Sequence, residues 1–297
     1  MTTFSAATQG HLKCLVYARE QGADWDDDVA SAAASVGSLE CLQYAVENGC
    51  SINGAIDAAA AAGHLPCMQY CLENGGEINS NTAFKAASMG TVECLRFAVE
   101  NGSGWTSEVI IQSAYGHTEC LQYALESGCP REDNGFAVPA AFCGAHIDCL
   151  KLLHEAGYPW PKNLFGDEQS VFNPMRPVED EKLIVVFDYA LGNGWAWNTA
   201  TVESLAGMGS LSLVQQARAS GVAPTEEMCV KAAYSAQVET LKYLAESGCP
   251  MSAAVQTAAF GCMSLECMKI AFEHNCPWPT DLMSNYVYPN DMLLPCV

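Results

Sequence analysis

The sequence predicts an all-α protein, an α-solenoid of about ten helix-turn-helix repeats, and two observations carry this prediction. The first is self-similarity: residues 37–49 read GSLECLQYAVENG, and residues 63–75 read GHLPCMQYCLENG. The second is spacing, because the residue that closes this phrase recurs about every 27 residues, at Gly22, Gly49, Gly75, Gly102, Gly128, Gly157, Gly194, Gly221, Gly248 and Asn275. Recurrence at a period of 20–50 residues is typical of repeat architectures. We therefore expect one repeat array over residues 1–297.

The second helix of each unit is the clearest element of the repeat. In residues 37–49 the apolar side chains Leu39, Leu42 and Val46 recur at the three- and four-residue spacing of one helix face. This helix is expected to end at the closing Gly, which readily adopts the left-handed conformation that terminates many helices. Asn275 occupies the closing position in the last unit, and Asn is the other residue that tolerates this conformation.

The first helix of each unit is short and rich in Ala, as in residues 58–62 and 86–87. Small side chains allow neighbouring helices to approach closely. Residue types that favour helix N-caps stand near its start, namely Asp26, Thr106, Asn198, Thr225 and Ser252. Because the connections between helices are only a few residues long, consecutive helices are expected to be antiparallel neighbours.

A leucine-rich repeat, with units of 20–29 residues, is the main alternative architecture. That repeat contains a strand reading Leu-x-Leu followed by Asn or Cys. The corresponding stretch here, residues 41–46, reads Cys-Leu-Gln-Tyr-Ala-Val. Its apolar spacing is helical rather than alternating, which favours the helical repeat.

Residues 59–75 resemble the ankyrin repeat. They read Ala-Ala-x-x-Gly-His-x-x-Cys-Met-x-Tyr-Cys-Leu-x-x-Gly, and the Gly-His step recurs at Gly10-His11 and Gly116-His117. The resemblance extends over roughly residues 4–281. Ankyrin units have 33 residues, and the residues missing here are those of the β-hairpin finger. The sequence is thus similar to a short, finger-less ankyrin-like repeat, which implies a helical solenoid that binds other proteins.

The chain is strongly acidic, with 34 Asp and Glu, 13 Lys and Arg, and a net charge of −21. Nucleic acid is not expected as a partner, because its binding depends on Lys and Arg that neutralise phosphates. Many carboxylates recur at two positions of the second helix, Glu40, Glu93, Glu119, Asp148, Glu239 and Glu266 at the first, and Glu20, Glu47, Glu73, Glu100, Glu126, Glu155, Glu246 and Glu273 at the second. The two positions are seven residues apart, so one outward face carries both. This face is either a solvated ridge or a docking face for a basic partner.

The sixteen cysteines fit a buried core better than disulfides or a metal site. Seven share one position of the second helix, at Cys14, Cys41, Cys67, Cys94, Cys120, Cys149 and Cys267. Stacked helices lie about 8–10 Å apart, whereas a disulfide needs Cα atoms within about 7 Å. No Cys-x-x-Cys pair supports a zinc site. Unpaired thiols indicate a reducing compartment, so we expect an intracellular, cytoplasmic protein.

No motif predicts an enzyme, a cofactor or a metal site. Residues 24–28 resemble the start of a calcium loop but lack its sixth-position Gly and twelfth-position Glu. Residues 207–212 contain a fragment of a dinucleotide fingerprint without the strand and helix that it needs. The histidines that recur before the second helix, His11, His64 and His117, are expected to be structural. No run approaches 18 apolar residues and the first ten residues lack a signal-peptide pattern, so membrane insertion is not expected.

The candidate partner-binding residues are aromatic and Met side chains at the edges of the repeats. Five tryptophans follow the closing residue by three positions, at Trp25, Trp105, Trp160, Trp197 and Trp278. They either pack over the hinge between units or anchor a partner, as aromatic side chains do at interfaces. The resemblance to ankyrin repeats implies that Met89, Tyr115 and Tyr234, just before the second helix, face the binding groove.

Two segments interrupt the repeat. The interval from Gly157 to Gly194 is ten residues too long, and the excess lies in an inserted loop over residues 165–178 with Phe165 and Phe172 as candidate contacts. Insertions in repeat proteins often map to a binding face. Residues 279–297 depart from the pattern and are expected to cap the last unit irregularly.

The function that fits these observations is a non-enzymatic scaffold or adaptor for protein–protein interaction, monomeric on its own. Its partner would be another protein, with a basic or aromatic-accepting surface. The alternatives are a structural subunit or spacer of a larger assembly, and an enzyme whose site escapes recognition. Exchangeable partners favour the adaptor, whereas stoichiometric co-purification favours the subunit.

Overall fold

The computed structural model describes residues 2–131, 135–162, 164 and 180–277. Over these residues the regular structure consists of nineteen α-helices and no strand, which confirms the predicted all-α fold. The helices cluster into two compact units, Met1–Pro161 and Lys162–Val297, and each unit is described by itself. The continuity of one array over residues 1–297 stays a prediction.

The first unit contains six helix pairs. Its first helices are α1 (Thr3–Thr8), α3 (Val29–Ser35), α5 (Ala55–Ala62), α7 (Ser80–Met89), α9 (Ser107–Ala114) and α11 (Ala137–Cys143). Its second helices are α2 (Leu12–Glu20), α4 (Leu39–Glu47), α6 (Leu65–Glu73), α8 (Val92–Glu100), α10 (Thr118–Glu126) and α12 (Ile147–Glu155). Every second helix has nine residues, as the constant spacing within the repeat predicts.

The second unit contains α13 (Asp180–Gly192) and three further pairs. These are α14 (Thr199–Met208) with α15 (Leu211–Ala219), α16 (Glu226–Tyr234) with α17 (Val238–Glu246), and α18 (Ala253–Gly261) with α19 (Leu265–Glu273). α13 ends two residues before the closing Gly194 and so takes the place of a second helix. The predicted inserted loop, residues 165–178, lies outside the described residues, as does the predicted cap over residues 279–297.

The pairs stack in register inside each unit. Each first helix contacts the first helix of the next pair, and second helices do the same less extensively. Alanines such as Ala33, Ala59 and Ala86 are fully buried between the first helices. Because these side chains are small, the first helices pack closely, while Leu42, Leu95 and Leu121 fill the space between the second helices.

The second helices end in the hydrogen-bonded turn that the closing Gly predicts. In α4 the Gly49 N–H bonds to the Val46 carbonyl at 3.0 Å, and the Cys50 N–H bonds to the Ala45 carbonyl at 2.9 Å. These two bonds form a Schellman motif, which requires a left-handed residue at the Gly position. Asn275 forms the same motif with a φ of +60°, so the interpretation of this Asn is confirmed.

The N-cap predictions are confirmed for four of the five residues. Asn198, Ser252, Thr106 and Thr225 are N-caps, and the first two accept hydrogen bonds from backbone N–H groups of their own helices. The prediction for Asp26 is wrong, because α3 begins after Asp28. Asp26 Oδ2 instead accepts hydrogen bonds from Thr3 Oγ1 at 3.3 Å and from the Phe4 N–H at 3.4 Å, so it bridges to the first pair.

Candidate functional site

Three of the six first helices in the first unit end at an exposed apolar side chain. We call this set, Val36, Met89 and Tyr115, the junction row. Each residue immediately precedes the Gly of the turn between the two helices of its pair, and the three side chains are 43%, 46% and 41% exposed. Ala62 holds the same position in the intervening pair. Since stacked pairs keep one register, the four positions lie on one edge of the unit.

The junction-row side chains also reach towards neighbouring pairs. Met89 Cγ lies within 3.4 Å of the point where a Cβ on Gly63 would stand, one pair back. Tyr115 lies beside Cys143 of the following pair, and burial raises its pKa, with a smaller contribution from Cys143. The row is therefore a surface shared between pairs rather than a set of isolated side chains. In the second unit Tyr234, the last residue of α16, is 71% exposed.

The tryptophans of the first unit lie mainly against their own chain. Trp25 is half-buried, and its Nε1 donates a hydrogen bond to the Asn48 carbonyl at 2.8 Å. The Arg19 guanidinium lies over its ring at 4.5 Å, and its edge meets Tyr44 of the next pair at 6.2 Å. Trp25 thus joins two pairs, as the packing interpretation of these residues predicts.

Two more of the predicted tryptophans lie in the same kind of place in the first unit. Trp105 contacts Tyr123 of the next pair with ring centroids 5.8 Å apart. The Arg96 guanidinium lies over the Tyr123 ring, 4.6 Å from its centroid. Trp160 stacks on His154 with centroids 5.0 Å apart. The exposed fraction of each of these half-buried rings is smaller than that of any junction-row side chain.

Trp197 lies in an aromatic cluster of the second unit. Its ring stacks on Phe187 with centroids 5.1 Å apart and an interplanar angle of 10°, and it meets the edge of Trp195 at 5.3 Å. The candidate contacts Phe165, Phe172 and Trp278 lie outside the described residues. The binding role of all ten candidate residues stays a prediction.

The recurring histidines fill the space that the junction glycines leave. A Cβ on Gly37 would lie 2.7 Å from the His64 ring of the next pair, and a Cβ on Gly90 would overlap the His117 ring. His117 Nε2 lies 3.1 Å from the Ser88 carbonyl oxygen, and because a carbonyl only accepts, Nε2 carries the hydrogen. Each ring therefore holds the preceding pair in register.

The sequence pattern of a single repeat does not predict this contact between pairs. The sequence carries a partial signal for it. Gly37, Gly90 and Gly209 each face the bulky N-cap of the next second helix, His64, His117 or Gln237, whereas Ala236 stands one pair before the second helix capped by Ser264. Gly10 also faces a small cap, Ser38. A large cap one pair further on thus goes with Gly at the junction, and the one Ala named here, Ala236, goes with a small cap.

The carboxylates of the two predicted acidic positions are all exposed. This holds for every member of the two sets of Glu and Asp on the second helices. Two carboxylates of the first set pair only with a Lys on their own helix, Asp148 with Lys151 at 4.0 Å and Glu266 with Lys269 at 3.0 Å. Exposed pairs of this kind are weak. The acidic face is therefore hydrated and carries a strong negative potential.

The described cysteines are free thiols, most of them in the core. Burial raises the pKa of the thiols of Cys71, Cys120 and Cys129 to about 12. Over the described residues, no group of three or more His, Cys, Asp or Glu side chains could hold a metal ion. Over the same part of the chain, no helix is long and apolar enough to cross a membrane.

No protein-family model matches the chain. No curated protein matches it either. Among solved structures, the crystal structure of the human ASB11 ankyrin repeat domain is similar at 18% identity and a TM-score of 0.49, over 63% of this chain and 97% of that chain. By its own paired and stacked helices, the chain is an all-α helical repeat protein, similar to an ankyrin repeat domain.

Proposed function

We propose that the chain is a non-enzymatic scaffold for protein–protein interaction and that the junction row is its contact surface in the first unit. The observation that carries this proposal is the exposure of Val36, Met89 and Tyr115 at one repeat position. Scattered single apolar residues are normal on a protein surface, but exposed apolar residues that recur at one repeat position on one edge are typical of a binding surface. More than two-fifths of each of these side chains is exposed.

The charge of the chain favours a basic partner. Glu40, Glu93 and Glu119 are exposed, and each follows a junction-row residue by four positions, which limits the separation to about 14 Å. None of the three forms an ion pair with a described residue. A partner segment that combines apolar side chains with Lys or Arg would satisfy both features, and long-range attraction would speed its association.

The experiment compares three purified proteins as immobilised bait, with quantitative mass spectrometry of what they capture. They are the native chain, the double variant Met89→Ser/Tyr115→Ser, and the control Tyr17→Ser, whose side chain is 63% exposed on the second helix α2. We expect the double variant to lose a set of captured proteins by tenfold or more and the control to retain them. Capture of this set should weaken as salt rises, because attraction between exposed charges is screened.

Equal capture by the double variant and the control would contradict the junction row as the contact surface. Thermal unfolding of all three proteins shows whether the comparison is fair. Substitutions at exposed positions without special contacts usually change stability by less than about 0.5 kcal/mol. A lower melting temperature of the double variant alone would assign these side chains to packing rather than binding.

A further inference from the structure

The last described helix pair, α18 and α19, has an uncovered apolar face, and the repeat itself shows this. In nine second helices the residue seven positions before the closing residue is fully buried, at Leu15, Leu42, Met68, Leu95, Leu121, Leu150, Phe187, Val214 and Leu241. The equivalent residue in α19, Met268, is only half-buried. The position that is fully buried in the other nine second helices is thus partly exposed in α19.

Two neighbouring positions of α19 show the same difference. Phe272 is 63% exposed, whereas the equivalent residues of the other second helices are buried or half-buried, Val46 and Leu125 among them. Leu265 is 59% exposed, whereas Leu39 and every other equivalent residue are half-buried. The pairs that precede others in a stack are covered by the next pair. The exposure on α19 therefore marks the face that a following element would cover.

The structure assigns this face, formed by Leu265, Met268 and Phe272, as the docking site of residues 278–297 of the same chain. These twenty residues follow Pro277, directly after the turn that ends α19. They are rich in apolar side chains, with Leu282, Met283, Tyr286, Val287, Tyr288, Met292, Leu293, Leu294 and Val297. They do not repeat the Gly-x-x-x-Cys-Leu pattern, so their docking would not need another helix pair.

Reach and charge favour this segment over a second copy of the chain. Five residues from Pro277 span up to about 17 Å, which is enough to cross one helix of about 10 Å diameter. Tethering gives the segment an effective concentration of the order of millimolar. Two copies of the chain would each bring a net charge of −21 to the contact, whereas residues 278–297 carry only Asp281 and Asp291.

The test is a double-mutant cycle between Phe272 and the segment. Phe272→Ser is made in the 297-residue chain and in a chain that ends at Pro277, and hydrogen exchange of the α19 amides is measured in all four proteins. We expect truncation to lower α19 protection tenfold or more. Phe272→Ser should lower it tenfold in the full chain and less than twofold in the truncated chain. The control Tyr17→Ser, equally exposed but on α2, should change α19 less than twofold in both.

Two results would overturn the proposal. The first is a failed cycle, in which α19 protection stays within twofold on truncation or Phe272→Ser has an equal effect in both chains. The other is a full chain whose mass by light scattering doubles with concentration while α19 protection rises, since a second copy would then cover the face. If the truncated chain does not fold, the triple change Met292→Asp/Leu293→Asp/Leu294→Asp in the full chain takes its place in the cycle, with the same expected values.

Discussion

Thr82 donates its hydroxyl hydrogen to Asp57 Oδ1 of the preceding pair at 2.7 Å. The Thr82 side chain is fully buried, and it also accepts a hydrogen bond from the Asn79 N–H at 3.2 Å. Asn79 Nδ2 and Lys85 Nζ each lie 3.2 Å from Asp57 Oδ2. One carboxylate on α5 therefore binds three side chains from the N-cap and first two turns of α7. This joins two pairs at a point where their apolar contact is made of alanines.

We expect Asp57→Asn to lower the free energy of unfolding by about 1–3 kcal/mol, because the amide cannot accept from all three donors. Urea unfolding at pH 7 measures the loss. Asp148→Asn is the matched control, since its pair with Lys151 is exposed and long, and we expect a change below about 0.5 kcal/mol. Equal losses in the two variants would show that the Asp57 hydrogen bonds stabilise the fold no more than an exposed ion pair does.

The same carboxylate predicts a pH dependence. Burial raises the pKa of Asp57, but the hydrogen bonds from Thr82, Asn79 and Lys85 outweigh it, and the net pKa lies below the ordinary carboxyl value of 3.8. A lowered pKa adds stability that is fully present above the unfolded-state pKa and is lost as the pH falls through the folded-state pKa. The difference between the native chain and Asp57→Asn should thus be constant from pH 7 to 5 and shrink below pH 4. A difference that grows in acid would contradict this.

The junction glycine Gly90 and the closing glycine Gly102 form a matched pair for testing the histidine contacts. Both have positive φ, 79° and 99°, so Ala costs about 1–2 kcal/mol in backbone strain at either site. A Cβ on Gly102 meets nothing within 4 Å, whereas a Cβ on Gly90 overlaps the His117 ring. We expect Gly90→Ala to cost about 1–3 kcal/mol more than Gly102→Ala by chemical denaturation.

His117→Ser should then restore part of the loss in the Gly90→Ala background. The chain already contains such a pairing, since Ala236 stands at the junction one pair before Ser264, the N-cap of α19. If His117→Ser costs the same in the presence and absence of Gly90→Ala, the ring does not rest on this glycine.

The thiols should differ sharply in their reactivity. Cys14 and Cys262 are half-buried, while Cys120 is fully buried with a pKa raised to about 12. Because the thiolate is the reactive form, we expect maleimide at pH 7.5 to label Cys14 and Cys262 at least a hundredfold faster than Cys120 in the folded chain. Peptide mapping by mass spectrometry measures the rates. Comparable labelling of all three under native conditions would exclude the core role of the recurring cysteine.

The elements set by local chemistry were predictable from the sequence, and the contacts between pairs were not. Gly49 and Asn275 end their helices as expected, because the left-handed turn depends only on the residue itself and its immediate neighbours. Asp26 has the right residue type for an N-cap, yet α3 starts two residues later and the carboxylate binds the preceding pair. Whether Asp26 caps α3 or binds the preceding pair depends on how the two pairs stack. The sequence of one pair carries no information on that stacking.

The candidate site shows the same division. The sequence places Trp25 and Met89 equally among the candidate contacts. The structure separates them, because Trp25 is half-buried against Arg19 and Asn48, while Met89 is 46% exposed. The sequence pattern around a large aromatic residue after a turn is the same whether its ring packs on its own chain or contacts a partner. The difference arises only from the side chains that the next pair brings beside it.

Leu121 and its position in the stack test how far stability is shared between pairs. Leu121 is fully buried in α10, so Leu121→Ala should cost about 2–5 kcal/mol. In a repeat array stability is close to a sum of terms for each pair and its neighbours. Hydrogen exchange should therefore rise most in α9 to α12 and progressively less towards α1. An equal rise in every helix of the first unit would mean instead that the six pairs unfold as one cooperative body.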